Sequence, residues 1–168
     1  MDTIYNGTFY NCESKYNRVD GFGITGPGGV SFFKCSGHHN GDDGLSHHNK
    51  GCTGSVIGGS YYHNGKAGVA SPSHYSNNEI NGVETYENYS AGIYAIRGNV
   101  ISTDTKDFPK LNVSNCYIHD ETVGISSSLY SVDCWNCIFE NNINNTKSDS
   151  TYPASISIHN FANKDLVS

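Results

Sequence analysis

The residues with the most chemistry to offer stand together at His38-His39-Asn40-Gly41-Asp42-Asp43-Gly44-Leu45-Ser46-His47-His48. Imidazoles titrate near neutral pH and move protons. Paired carboxylates serve as acid and as nucleophile or base in glycoside hydrolysis. A divalent cation such as calcium seeks the same oxygen-rich arrangement. Another acid, Asp20, is followed by glycine just as Asp43 is, and it stands 23 residues earlier.

Whether these groups meet depends on the elements that carry them, and the chain is periodic. The first glycines of Asp20-Gly21-Phe22-Gly23-Ile24, Asp43-Gly44-Leu45-Ser46-His47, Ala67-Gly68-Val69-Ala70-Ser71, Ala91-Gly92-Ile93-Tyr94-Ala95 and Val123-Gly124-Ile125-Ser126-Ser127 are 23, 24, 24 and 32 residues apart. Asn40, Asn64, Asn88 and Asp120 each fall four residues before one of the last four glycines. A fixed period of this size marks a solenoid, whose repeats bury their apolar faces only against one another.

A second alternating pattern precedes the Asn series, as in Phe33 to Asn40, Ile57 to Asn64, Val113 to Asp120 and Cys134 to Asn141. Alternation of apolar with small or polar residues predicts half-buried strands. Two columns are expected to face inward. One is Ile4, Phe33, Ile57, Asn81, Val113 and Cys134, in which Ile80 beside Asn81 suggests a one-residue slip. The other is Phe9, His38, Tyr62, Tyr86, Ile118 and Phe139. Helical solenoids are excluded by the density of Gly and Asn, both poor helix formers. Those residues tolerate the left-handed backbone of sharp corners, and Asn repeated at one corner forms a hydrogen-bonded ladder. The expected fold is all-β: a single-stranded parallel β-helix of about seven coils, the last at Ala154–Ile158. Residues 99–110 read as an inserted loop that accounts for the one long spacing.

These repeats resemble the right-handed parallel β-helix proteins: pectate-lyase-like polysaccharide lyases and epimerases, and phage tailspike depolymerases. The resemblance covers residues 1–160 and implies a right-handed coil, as does the usual crossover rule. It implies a polysaccharide as partner and a place outside the cell or on a virion surface. It also gives Arg97 the role of neutralising a uronate, as basic residues do in such lyases.

With coils stacked, Asp20 and Asp43 occupy one position in successive coils, and one of the two carboxyl pKa values should rise. Leu45 aligns with Phe22, Val69 and Ile93 and points inward, as does His47. Ser46 and His48 point outward on the face that holds Tyr94. The expected site therefore has Asp20, Asp42 and Asp43 as acid, base or cation-binding groups and His48 as proton carrier. Ser46, His39, Tyr94 and Arg97 would contact substrate.

Blander readings stand beside it. Asp-Gly makes turns, which alone accounts for Asp20 and Asp43. His38 and His47 fall in the inward register as core histidines. The spacing of His39, Asp42, Asp43 and His48 matches no metal motif. Tyr61, Tyr62, Tyr86, Tyr89 and Tyr94 are sugar platforms only where they leave the core, as Tyr62 and Tyr86 are not expected to do.

The remaining composition sets bounds. The chain of 168 residues is one domain, 1–168, with a net charge of −6 and only 10 Lys and Arg. That disfavours nucleic acid as a partner. No stretch approaches the ~20 apolar residues of a membrane span. Met1-Asp2-Thr3-Ile4-Tyr5 opens in a strand pattern rather than a signal peptide, and neither end carries a capping helix. The expectation is a segment of a longer protein, or ends covered by partner subunits. Of the six cysteines, Cys116 and Cys137 lie one coil apart, within disulfide reach, although small core-filling residues are the simpler reading. Cys134 and Cys137, if in one strand, point to opposite faces and make no zinc site. No GxSxG, P-loop or dinucleotide fingerprint is present, so no cofactor is implied beyond the cation named above.

Two functions follow. One is a carbohydrate-active β-helix that binds and cleaves a polysaccharide as a lyase or glycoside hydrolase. The other is a non-catalytic structural or adhesive rod of a phage tail or surface protein, as a homotrimer. Catalysis requires Asp20 and Asp43 to face solvent in one groove with His48. The rod requires them to be engaged in turn hydrogen bonds, with no cleft nearby.

Overall fold

The computed structural model describes residues 6–25, 28–48, 52–71, 78–96, 110–128, 131–148 and 155–163. The chain winds as a parallel β-solenoid with three sheets, and no helix occurs among the described residues. The first sheet stacks Gly7–Tyr10, Gly28–Phe33, Ser55–Ile57, Asn78–Asn81, Lys110–Ser114, Ser131–Trp135 and Ser155–His159. The second stacks Glu13–Lys15, Ser36–His38, Ser60–Tyr62, Glu84–Tyr86, Tyr117–His119, Ile138–Glu140 and Ala162–Asn163. The third stacks Phe22–Ile24, Leu45–His47, Ala67–Ala70, Ala91–Ile96, Val123–Ser128 and Asn144–Ser148. The third sheet has six strands, so fewer coils are complete among the described residues than the seven expected. Arg97 and all of the 99–110 segment except Lys110 lie outside the described residues.

The repeat glycines form a row. A Cβ on Gly21 would stand 2.5 Å from the Gly44 carbonyl oxygen, one on Gly44 2.7 Å from that of Gly68, and one on Gly68 2.8 Å from that of Gly92. The row exists because coil backbones close in on one another there, leaving no room for a side chain. The corner before it is equally regular. Tyr16, His39, His63, Glu87, Asp120 and Asn141 all adopt left-handed φ, between 52° and 59°. The next residue in each coil turns inward and builds a ladder. Asn17 Nδ2 donates to Asn40 Oδ1 at 2.9 Å, Asn40 Nδ2 to Asn64 Oδ1 at 3.0 Å, and Asn64 Nδ2 to Asn88 Oδ1 at 2.9 Å. Asn88 Nδ2 then donates to Glu121 Oε1 at 2.8 Å, and the Glu121 amide to Asn142 Oδ1 at 3.0 Å. The chain spends buried amide groups on each other in this way, as buried polar atoms require.

This ladder corrects the expected columns. Glu121, not Asp120, occupies its fifth coil, and Asp120 is exposed. Counting from Asp120 and Asn141 therefore places the lower coils one residue out of step with the upper ones. In the first sheet Phe32, Val56, Ile80, Val113 and Cys134 pair in one buried column. Phe33, Ile57 and Asn81 turn to the partly exposed face. In the second sheet Tyr61, Thr85, Ile118 and Phe139 are buried, while Tyr62 and Tyr86 lie on the outer face with His38 and His119. The outer rings stack: His38 on Tyr62 at 4.6 Å, Tyr62 on Tyr86 at 4.6 Å and Tyr86 on His119 at 5.0 Å between centroids. His38 is thus shielded by its neighbours in an outer stack and is not a core residue.

The cysteines follow the same logic. Cys134 and Cys137 are both buried, because Asn136 takes φ 53° and turns a corner between them. They do not belong to one straight strand, so the opposite-face expectation fails. Cys12, Cys35, Cys116, Cys134 and Cys137 are free thiols. The neighbouring Cys137 side chain, and then burial, raise the Cys134 thiol.

Candidate functional site

The acids do converge. Asp20, Asp42 and Asp43 each offer a carboxylate oxygen within 4.8 Å of the others. Their placement follows from strand pairing: Phe22 pairs with Leu45, and the Gly21 amide donates to the Asp43 carbonyl at 2.9 Å. Asp20 and Asp43 are therefore one coil apart in register.

Their side chains are engaged by the turn itself. Asp20 Oδ1 accepts the Asp43 amide at 3.1 Å, and Asp43 Oδ1 accepts the Ala67 amide at 3.1 Å. Each carboxylate satisfies the backbone donor of the coil below. Asp43 is 2 % exposed, and burial pushes its carboxyl up to about 6; Lys66 and the Ala67 amide oppose the rise, while Asp42 and Asp20 add to it. Asp43 thus meets the requirement set for the turn reading and fails that set for a solvent-facing catalytic acid.

Asp20 has a second partner. Its Oδ2 is hydrogen-bonded to His48 Nε2. The His48 ring is half-open to solvent, whereas the Asp20 side chain is nearly covered. Gly23 makes this contact feasible. A Cβ there would stand 3.4 Å from Asp20 Oδ2 and 3.8 Å from His48 Nε2, so the imidazole folds back across the strand over a residue with no side chain. Ser46 pairs with Gly23 and shares the Tyr94 column through Ala70. It has the predicted outward register but is buried, and its hydroxyl makes no hydrogen bond among the described residues. Ser46 is therefore closed to a substrate. His47 faces inward as expected, and burial lowers its pKa to about 4.

Asp42 is more open and pairs with Lys66 Nζ at 3.5 Å. Lys66 also lies over the Tyr94 ring, 5.9 Å from its centroid. Burial works against the ammonium, but Asp43 and Asp42 outweigh it and raise the Lys66 pKa. This chain of contacts links Tyr94 to the acid cluster. As a cation site the cluster already contains an ammonium ion pair, which competes with any metal for Asp42.

The open volume lies beside the cluster. A cleft of about 760 Å³ runs along the second corner, walled by Tyr16, Arg18, His39, His63, Glu87 and Tyr89 and floored by the Asn ladder. A second cleft of about 570 Å³ is lined by Tyr89, Tyr94, Ser126 and Lys147 among others. The first crosses successive coils as a shallow trough, and Tyr89 lines both clefts. Tyr16 is 73 % exposed and Tyr89 81 %. The rings of the outer stack differ, because their faces are spent on each other and only their edges reach solvent. Of the expected substrate contacts, His39 lines the first cleft and Tyr94 the second, Ser46 is buried, and Arg97 lies outside the described residues. Tyr16, Arg18 and His63 were not singled out from sequence, although the 23- and 24-residue offsets linking Tyr16, His39 and His63 signal their column. Compared with protein-family models, curated proteins and solved structures, the chain finds no match.

Proposed function

We propose that this β-solenoid is a carbohydrate-active protein that holds an extended polysaccharide in the corner trough. The observation carrying this reading is the trough itself, which is open, crosses successive coils and has the exposed rings of Tyr16 and Tyr89 at its wall. A sugar presents an apolar C–H face to a ring and hydroxyls to polar side chains, and both kinds of partner are present in the exposed rings of Tyr16 and Tyr89 and in the exposed Asn17 and Arg18. Coils repeat at ~4.8 Å, comparable to the length of one pyranose unit, so a glycan running parallel to the stack meets equivalent groups at each step. Similarity of the repeats to polysaccharide lyases, epimerases and tailspike depolymerases agrees with this use, and with a place outside the cell or on a virion.

Cleavage, in this reading, falls to His48, which lines neither cleft, so the glycan has to extend from the trough across the acid cluster to reach it. A carboxylate orients its imidazole, and the ring reaches solvent, the arrangement of a general base. With Asp43 buried, proton abstraction by His48 is favoured over hydrolysis by two carboxylates. The second reading is a binding rod without catalysis, as a homotrimer, and one observation supports it: both Asp20 and Asp43 accept backbone amides of the next coil.

The experiment is a panel of acidic and neutral polysaccharides, scored for binding by affinity electrophoresis and for cleavage by new reducing ends and unsaturated products. Tyr89→Ala is expected to weaken binding about tenfold, equivalent to ~1.4 kcal/mol. His48→Ala is expected to abolish cleavage while binding persists. Retention of the glycan in the wild type without product formation selects the rod. No binding to any polysaccharide rejects the carbohydrate reading altogether.

A further inference from the structure

One face of the trough carries ligand chemistry that the glycan reading does not use. His39, His63 and Glu87 occupy the same corner position in three successive coils, each with left-handed φ (55°, 52° and 54°). Their side chains line the cleft wall. The His39 and His63 rings lie 4.8 Å apart between centroids, tilted by 54°.

Hydrogen bonds fix which nitrogens are free. His38 Nε2 lies 3.0 Å from Glu13 Oε1, and a carboxylate only accepts, so Nε2 carries the hydrogen in the neutral ring. His38 Nδ1 then holds a lone pair. It lies 2.9 Å from His39 Nδ1, so His39 donates from Nδ1 and keeps its lone pair on Nε2. His63 Nε2 lies 3.1 Å from Glu87 Oε2 and donates to it, which leaves the His63 lone pair on Nδ1. Each ring thus has one nitrogen anchored by an acceptor and the other unprotonated. Metal-binding histidines have this outer-shell pattern, in which the anchored N–H fixes the tautomer and makes the other nitrogen more basic.

We propose that His39 and His63 form a binding site for one divalent transition-metal ion of the zinc, copper or nickel class. The ring spacing suits it: two imidazoles on one tetrahedral ion, at ~2.0–2.1 Å per metal–nitrogen bond, bring their centroids to roughly 5 Å. Imidazole nitrogen is the preferred donor for these ions. His38 with Glu13 backs the first ligand and Glu87 backs the second. Water completes the coordination on the cleft side. This inference is independent of whether a glycan binds.

The test is calorimetric titration of the full chain with zinc alone near pH 7.5, repeated with nickel. One ion per chain at micromolar affinity is expected. His39→Asn and His63→Asn, which keep a residue suited to left-handed backbone, should each weaken binding at least tenfold, and Glu87→Gln about tenfold through the outer shell. His119→Asn should leave it unchanged. Binding should weaken as the solution is made acidic, because protons compete with the metal for imidazole nitrogen. Circular dichroism checks that each variant folds. Absence of zinc binding by the folded wild type would overturn the site. So would binding that survives both histidine replacements but is lost in Asp42→Asn, which would place the ion on the acid cluster.

Discussion

Glu121 interrupts a ladder of asparagines, and that exchange should be readable in the pH dependence of stability. Its side chain is 2 % exposed. Oε1 accepts from Asn88 Nδ2 at 2.8 Å and Oε2 from the Asn88 amide at 3.0 Å. Burial outweighs these donors and raises the carboxyl from 4.5 to about 7. The folded state therefore holds a proton that the unfolded chain releases above its own pKa. Stability is complete below about 4.5, falls as pH rises and levels off above about 7. A difference of roughly 2.5 pKa units at 1.36 kcal/mol each makes the loss about 3 kcal/mol. Glu121→Gln keeps a carbonyl for Asn88 Nδ2 and has nothing to titrate. Urea midpoints should be measured for both proteins from about pH 4 to pH 8. With m of ~1–3 kcal/mol/M, the wild-type midpoint should drop by roughly 1–3 M relative to the variant across that window. Groups common to both proteins, Asp43 among them, cancel in the comparison. Midpoint curves that stay parallel from acid to neutral pH would refute the reasoning.

Three further outcomes follow from the packing. Gly44→Ala places a Cβ 2.7 Å from the Gly68 carbonyl and 2.8 Å from both Asn64 Nδ2 and the Gly37 carbonyl; since backbone forms two of the walls, a loss of about 3 kcal/mol or more is expected in thermal unfolding. Asn64→Asp removes the donor that reaches Asn88 Oδ1 and the Gly37 carbonyl and sets a carboxylate against two acceptors; the variant should lose about 3 kcal/mol at neutral pH and recover part of it in acid, when the new group protonates. Tyr61→Phe deletes a buried hydroxyl without a hydrogen bond among the described residues; urea unfolding should show a neutral change or a gain of about 1 kcal/mol, and a loss of 2 kcal/mol or more would mean that the hydroxyl has a partner.

The sequence alone determined the solenoid, because coil spacing leaves its mark on every turn. Glycine must recur where backbones touch, as Gly21, Gly44, Gly68 and Gly92 do. Amide side chains must recur where a buried corner needs donors and acceptors, as Asn40, Asn64 and Asn88 do. The same periodicity brought Asp20 and Asp43 together on paper before any coordinates. Tertiary structure decided what periodicity leaves open. Glu121 stands in the ladder position itself, directly after the left-handed Asp120, so a count that takes Asp120 for the ladder residue runs one step out in the lower coils. Side-chain direction hung on that single step, and with it the placing of Tyr62, Tyr86 and His38 on the outer face and of Tyr61 in the core. Access was equally hidden. Strand register gives Ser46 an outward position, but only the fold of His48 over Gly23 beside it, and the amide bonds that hold Asp20 and Asp43, show which groups water reaches. Period fixes which residues are neighbours, whereas exposure depends on how the side chains of adjacent coils close over them.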